Sequence, residues 1–222
     1  MKSVFATIST YSSLLPITAC LFKLPFINRR FYAIVLYCTL SLLSDLSIKY
    51  LHLKVHPDLQ FFIFSSFTIL EYSLFSFFIY YSIINKNLRL TVLIASILFV
   101  SFCILYYTRN RLNIFDSLPA SIESLIIIVF CLFYFYEQIS IPTVSIIYSN
   151  STFWVIIGIL FYLSGTLFLF LYVASLPDKE VFSLWIINNV FNILIKILFT
   201  IAFLLNKDDL PDKLPMKRQS YI

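Results

Sequence analysis

The chain has 222 residues, of which 60% are hydrophobic and only 12% charged, and its formal net charge is +5. A water-soluble domain carries roughly a quarter charged residues, so this composition excludes a soluble globular protein and predicts a chain embedded in lipid. With two glycines in the whole chain, glycine-rich phosphate loops and Rossmann turns are excluded as well, because they need several glycines.

Seven apolar segments follow one another, each close to the length that a transmembrane helix needs. In chain order they cover residues 4–22, 31–48, 61–84, 88–107, 118–136, 152–175 and 182–205. Their uniform apolarity favours helices over the alternating strands of a barrel. The sequence therefore predicts an all-α fold: a polytopic membrane helical bundle of about seven transmembrane helices over residues 1–206, with a short charged tail over 207–222.

The first segment has two interpretations, an uncleaved transmembrane helix and a secretory signal. Ile17-Thr18-Ala19-Cys20 is similar to a lipoprotein cleavage site. Cleavage there would leave Lys23, Arg29 and Arg30 outside the cell, against the preference of basic residues for the cytoplasmic side. We therefore expect an uncleaved first helix.

The basic residues of the loops predict the orientation. The loops on the side of the C-terminus carry nine Lys and Arg residues and the opposite side carries six. This bias favours an N-terminus outside and a C-terminus in the cytoplasm of a cell (inner) membrane. It also explains the net positive charge without nucleic-acid binding.

Four ionisable residues lie inside the predicted spans, where a charge costs at least ~2.5 kcal/mol on insertion scales. Glu71 is close to the middle of the third span, and Lys196 lies a few residues past the middle of the seventh. Asp45 lies late in the second span and Glu123 early in the fifth. Such residues predict a functional site, with a purely structural role in helix packing as the alternative.

The seventh span carries a polar stripe. Trp185, Asn189, Asn192 and Lys196 follow a spacing that places them on one helical face, with Asn188 beside it. A stripe of amides and an ammonium is expected to face the bundle interior. The predicted ligand-binding set lies on the second, third, fifth and seventh spans: Asp45, Glu71, Tyr72, Glu123, Trp185, Asn188, Asn189, Asn192 and Lys196.

The remaining spans predict packing surfaces. Gly158 and Gly165 lie seven residues apart on one face of the sixth span, where small residues let helices approach closely. The fourth span has Ala95 and Ser96 as its smallest residues and is expected to face lipid. The four cysteines lie singly in apolar segments and are typical of buried hydrophobes.

Several functions were weighed against these residues. A retinal-type pigment needs a lysine such as Lys196 and a counter-ion such as Glu71, but Asn192 stands one turn before the lysine, where microbial rhodopsins have an Asp. An intramembrane hydrolase needs metal ligands, and the histidines, His52 and His56, lie in a loop. A small-solute or proton-coupled transporter usually has internal repeats or broken helices, and here Pro16 alone lies well within a span.

A receptor-like sensor or signalling accessory without enzymatic activity agrees best with these features. We expect no cofactor and no metal site. The expected partners are the lipid bilayer, a small-molecule ligand and a membrane signalling partner.

Three stretches resemble a known family. Glu71-Tyr72-Ser73-Leu74-Phe75, the run from Phe153 to Gly158, and the run from Trp185 to Lys196 resemble an uncharacterised family of small seven-helix membrane proteins of Bacteroidetes-type bacteria. The resemblance covers most of the chain and supports the helix count. Members are sometimes associated with sensor kinases, so the resemblance implies signalling but supplies no catalytic residues.

Overall fold

The computed structural model describes residues 2–23, 28–50, 57–109, 117–140, 149–173 and 178–205. Every regular element in these ranges is an α-helix. The helices are α1 (Lys2–Ser12), α2 (Leu14–Lys23), α3 (Phe31–Tyr50), α4 (Pro57–Ser82), α5 (Lys86–Arg109), α6 (Ser117–Ser140), α7 (Ser151–Val173) and α8 (Asp178–Leu205). The loop that holds His52 and His56 and the tail from residue 206 lie outside the described residues.

These helices form a multi-pass membrane bundle, which confirms the predicted all-α class. Within the described ranges, six segments are long and apolar enough to cross a membrane, and α3 adds a shorter apolar stretch, Phe31–Ser47. The six include Phe5–Lys23, which joins α1 and α2 into one span. The observed helices begin and end within a few residues of the predicted segments, because lipid requires an apolar run of nearly fixed length.

The first span is broken near its middle, between Ser12 and Leu14. Pro16 explains the break, since proline has no N–H for the carbonyl of Ser12 and its ring clashes with that carbonyl. The hydroxyl of Ser12 instead donates to the carbonyl of Ser9 at 2.6 Å. The break lies at mid-span of the segment Phe5–Lys23.

The helix α8 packs against helices from both ends of the chain. It lies against α7 on one side and against α1 and α2 on the other, while α3 packs on α4 and α6 packs on both α4 and α7. The helix α5 is peripheral: only 17% of its apolar span is buried, against 28–50% for the other five long spans. The prediction of a lipid-facing fourth span is thus confirmed.

Successive spans cross the bundle in alternate directions, so the bundle has two sides. We call the side where α1, α4, α6 and α8 begin the N-terminal side, and the other the opposite side. Ring contacts agree with this arrangement: Phe31 packs on Phe78 at 5.4 Å and on Phe203 at 5.9 Å at the opposite side. At the N-terminal side Phe61 packs on Tyr107 at 5.8 Å.

Both glycines lie where α7 meets α8. A Cβ at Gly158 would lie 3.2 Å from the Cβ of Leu198, and one at Gly165 would overlap the ring of Phe191. The glycine face is therefore a packing surface, as the spacing predicts, because small residues let membrane helices approach closely.

We expect Gly165→Ala to destabilise the bundle by about 1–3 kcal/mol, the usual cost of overpacking. The thermal unfolding midpoint in detergent micelles measures the effect. Phe191→Leu in the same chain should recover most of the loss, because it removes the ring that the new methyl group meets. A loss that Phe191→Leu leaves unchanged would contradict this contact as its cause.

Candidate functional site

Two ionisable residues lie deep inside their membrane-spanning helices. Glu71 lies close to the middle of α4, as predicted. Lys196 lies past the middle of α8, toward its C-terminal end, which also agrees with the prediction. Both side chains are buried.

Lys196 is fully buried, with 0% of its surface exposed. Its Nζ lies 4.0 Å from the centroid of the Tyr37 ring and has no hydrogen-bond partner in the described part of the chain. An ammonium over an aromatic face is stabilised by about 2 kcal/mol when both are desolvated. That falls short of the several kcal/mol that effective burial of an ion costs. Lys196 is therefore held in the bundle interior without full compensation.

Tyr37 is fixed by other rings. Its ring lies 4.6 Å from Phe75 of α4 and 6.0 Å from Phe199 of α8, and all three rings are buried. Tyr37 thereby joins α3, α4 and α8 at one point. Edge and tilted ring pairs of this kind add about 0.5–1.5 kcal/mol each beyond their burial.

Glu71 reaches the same tyrosine from α4. Its carboxyl group is buried and lies within hydrogen-bonding reach of the Tyr37 side chain, while its Oε1 has no partner. Glu71 and Lys196 act on each other electrostatically, but the ammonium donates no hydrogen bond to the carboxyl group. The acid and the base therefore converge on Tyr37 instead of forming a direct ion pair.

Asp45 extends the cluster toward the N-terminal side. It is partly buried, its side chain hydrogen-bonds with Thr10 of α1, and it lies within electrostatic range of Lys196. The broken first helix therefore contributes a hydroxyl to the same interior. Asp45 is the second acid that acts on Lys196.

Asn192 connects α8 with α1 one turn before Lys196. Its Nδ2 lies 3.2 Å from the Oγ of Ser9, whereas its Oδ1 is buried without a partner. The rest of the predicted stripe, Trp185, Asn188 and Asn189, is only partly buried. The stripe therefore faces the interior at its deep end, and its end at the N-terminal side lies at the edge of the bundle.

Glu123 of α6 is the third buried acid. Only 3% of its surface is exposed. Among the described residues its Oε1 has no hydrogen-bond partner, and the charged group that acts on it is Glu71. It lies five residues inside its span, Leu118–Ser140. Glu123 therefore lies between Glu71 and the N-terminal side.

Tyr72 has a different role from the other candidates. Its hydroxyl lies 3.2 Å from the Oγ of Ser96, which is also 2.6 Å from the Oγ of Ser76. These hydroxyls join α4 to the peripheral α5. Tyr72 is fully buried, and its place in this contact indicates helix packing. It also lies within electrostatic range of Glu123, next to the cluster.

The structure adds residues that the sequence interpretation missed. Ser9, Thr10 and Ser13 of the first span are buried or nearly so, and their hydroxyls face α3 and α8 or remain unpartnered. Tyr162 of α7 is buried within electrostatic range of three acids. The run rich in Ser and Thr between residues 7 and 13 could have drawn attention to Ser9, Thr10 and Ser13. No sequence signal marks Tyr162, because single tyrosines are common in these spans.

Glu137 was also missed, since it falls just beyond the predicted fifth span. It is buried, and its two carboxylate oxygens accept hydrogen bonds from the backbone N–H groups of Ile84 and Asn85 at 2.7 and 2.6 Å. Asn85 in turn accepts from the N–H of Asn87 at 2.9 Å and caps α5. Glu137 therefore fixes the loop between α4 and α5, which is a structural role.

Comparison with known proteins finds no matching family model, no similar curated protein and no similar solved structure. The resemblance to a seven-helix family accordingly remains a prediction. The site is defined by its own geometry: Glu71, Lys196 and Tyr37 meet in the bundle interior, Asp45 and Asn192 border them toward α1, and Glu123 borders them from α6.

Proposed function

We propose that the chain is a receptor-like membrane sensor or signalling accessory whose input site is the cluster around Lys196. The observation that carries this proposal is the buried Nζ of Lys196, which has no hydrogen-bond partner in the described part of the chain and lies within electrostatic range of Glu71, whose Oε1 also has none. Ionisable groups kept in lipid at such cost usually serve a function. A packing role would favour satisfied hydrogen bonds instead.

The cluster is well placed for sensing because it lies where three helices meet. Tyr37, Glu71 and Lys196 come from α3, α4 and α8, so a change in occupancy or charge at Lys196 acts on all three. A sensor needs such an element with two arrangements of different free energy. We further propose that the output goes to a membrane signalling partner on the cytoplasmic side of the cell membrane, in the predicted orientation.

Deletion and restoration in the source cell test the sensing role. Deleting the gene should change a defined set of transcripts, and the wild-type gene should restore them. Glu71→Gln should fail to restore them, because it removes the carboxyl group that lies within reach of Tyr37 and acts on Lys196, while the side chain keeps its size. Ser73→Ala is the matched control on the same helix, since Ser73 is exposed and its hydroxyl bonds only the carbonyl of Ile69 at 2.7 Å.

Each variant must be present in the membrane in the same amount as the wild type. Failure to restore the transcripts then cannot result from poor membrane insertion. Restoration by Glu71→Gln at wild-type level would contradict a role for the cluster in sensing. It would favour the interpretation that the buried charges only fix helix packing.

A small-solute or proton-coupled transporter is the second candidate, and the break in the first span favours it. Transporters often place broken helices near mid-membrane, where freed backbone groups line the site. The break at Ser13 lies close to α8. Ser9, four residues before the break, contacts Asn192, which lies four residues before Lys196. Flux in proteoliposomes separates the candidates: a transporter accumulates solute or protons against a gradient, and a sensor does not.

A further inference from the structure

The buried cluster contains more acids than bases. Among the described residues, the acids Asp45, Glu71 and Glu123 and the base Lys196 act on one another electrostatically. The other titratable groups close by are hydroxyls and thiols that carry no charge at neutral pH, namely Tyr37 and Cys38 of α3, Cys20 of α2, Tyr72 of α4, Cys103 of α5 and Tyr162 of α7. The cluster would hold an excess of two negative charges if every group were ionised.

Such an excess is not stable inside a membrane. An isolated carboxylate in a medium of low dielectric constant is so costly that the group takes up a proton instead. The second of two neighbouring carboxyl groups is disfavoured further by the charge of the first. At least one buried acid of the cluster must therefore be neutral at physiological pH.

The contacts identify that acid as Glu123. Lys196 acts on Glu71 and on Asp45, but the charge that acts on Glu123 is the like charge of Glu71. Among the described residues, neither an ammonium nor a hydrogen-bond donor compensates the Oε1 of Glu123. Glu71, by contrast, has the electrostatic attraction of Lys196 and the Tyr37 side chain within reach.

We infer that the cluster is a proton-binding site in which Glu123 carries a proton at neutral pH and exchanges it with Glu71. In this exchange the O–H bond of the Glu123 carboxyl group breaks and an O–H bond forms on the Glu71 carboxylate. Glu123 becomes a carboxylate and is reprotonated from the N-terminal side, toward which it lies. The charge of Glu71, which acts on Lys196, therefore depends on the proton concentration at the N-terminal side.

This inference names the proton as the ligand of the proposed sensor. The role of the proton as an input signal rests on the proposed function. A proton needs no preformed cavity, which agrees with a closely packed core of rings around Tyr37. The proton-binding site itself depends on the buried carboxyl groups alone.

Infrared spectroscopy of the whole chain in liposomes tests the inference, because a protonated carboxyl group and a carboxylate absorb at different frequencies. We expect a protonated-carboxyl band at neutral pH that shifts in D₂O and decreases as the pH is raised. Glu123→Gln should remove this band. Glu137→Gln is the matched control and should leave it unchanged, since Glu137 accepts two backbone N–H bonds at the loop between α4 and α5, apart from the cluster.

Absence of the band from the wild-type spectrum at neutral pH would overturn the inference, as would a band that Glu123→Gln leaves unchanged. Should Glu123→Gln fail to fold, Glu123→Asp replaces it, and a shifted band supports the assignment while an unshifted one contradicts it. A band that behaves as expected, together with transcripts that do not respond to gene deletion, would leave the proton site standing and reject only the sensing role.

Discussion

Lys196→Met should abolish the response of the cell and at the same time make the protein more stable. Lys196 is fully buried and its Nζ has no hydrogen-bond partner, so an apolar side chain of similar length removes an uncompensated desolvation cost. Replacing buried charges by apolar groups often stabilises a protein by 1–4 kcal/mol. The unfolding midpoint in detergent should therefore rise by about 2–4 °C for each kcal/mol recovered.

The matched control is Ile197→Met, next to Lys196 but exposed at the surface of the bundle. It should change neither the midpoint nor the response. A fall in the midpoint of Lys196→Met would show that the lysine stabilises the fold, and would contradict the view that it is kept for function at a cost in stability.

Tyr37→Leu should cause the largest loss of stability of any single change in the cluster. The ring contacts Phe75, Phe199 and the ammonium of Lys196, and its removal deprives the ion of the aromatic face that lies 4.0 Å from it while leaving a cavity. Removing a large buried ring typically costs 3–5 kcal/mol when the replacement is alanine, so the larger leucine should cost about 2–4 kcal/mol. Measurement of the unfolding midpoint checks this expectation.

Tyr37→Phe separates the two roles of the tyrosine. It keeps the ring over Lys196 but removes the hydroxyl near Glu71, so we expect a smaller cost of about 1–3 kcal/mol from the polar group left without its partner. Phe77→Leu serves as the control for loss of a ring on the same bundle, because Phe77 is exposed to lipid. Equal losses for Tyr37→Leu and Phe77→Leu would contradict the central position of Tyr37.

The fold followed from the sequence because the membrane imposes the length of each apolar run. The segment predicted at 88–107 appears as Lys86–Arg109 and the one at 152–175 as Ser151–Val173, so the errors are confined to helix ends. The split of the first span was not predicted, although Pro16 was visible in it. Sequence alone does not show whether neighbouring helices absorb a proline or the helix breaks.

The sequence predicted which ionisable residues would be buried, but not which side chains they would contact. The cost of burying Glu71, Glu123 and Lys196 marked them individually, and their burial agrees with that expectation. Their meeting point on Tyr37 depends on helix rotation and on which spans are neighbours. Periodicity within one helix does not contain that information, so the acid and the base could not be assigned a shared partner.

The interpretation of the eighth helix shows the same limit. The spacing placed Trp185, Asn189, Asn192 and Lys196 on one face, yet the first three are only partly buried and Lys196 is fully buried. Periodicity alone does not distinguish the part of a helical face that reaches the core from the part that does not. The contact of Asn192 with Ser9 shows that the face turns toward the first span, which carried no charge to draw attention to it.

A double-mutant cycle between Glu71 and Lys196 tests most directly whether the two share one interior site. The unfolding free energies of the wild type, Glu71→Gln, Lys196→Met and the double variant give the coupling between the two side chains. We expect a coupling of about 0.5–3 kcal/mol, typical of residues in one network, with Lys196→Met more stabilising when Glu71 is already Gln, because the lysine then lacks the attraction of one of its two acids. Effects that add within about 0.3–0.5 kcal/mol would contradict a shared site.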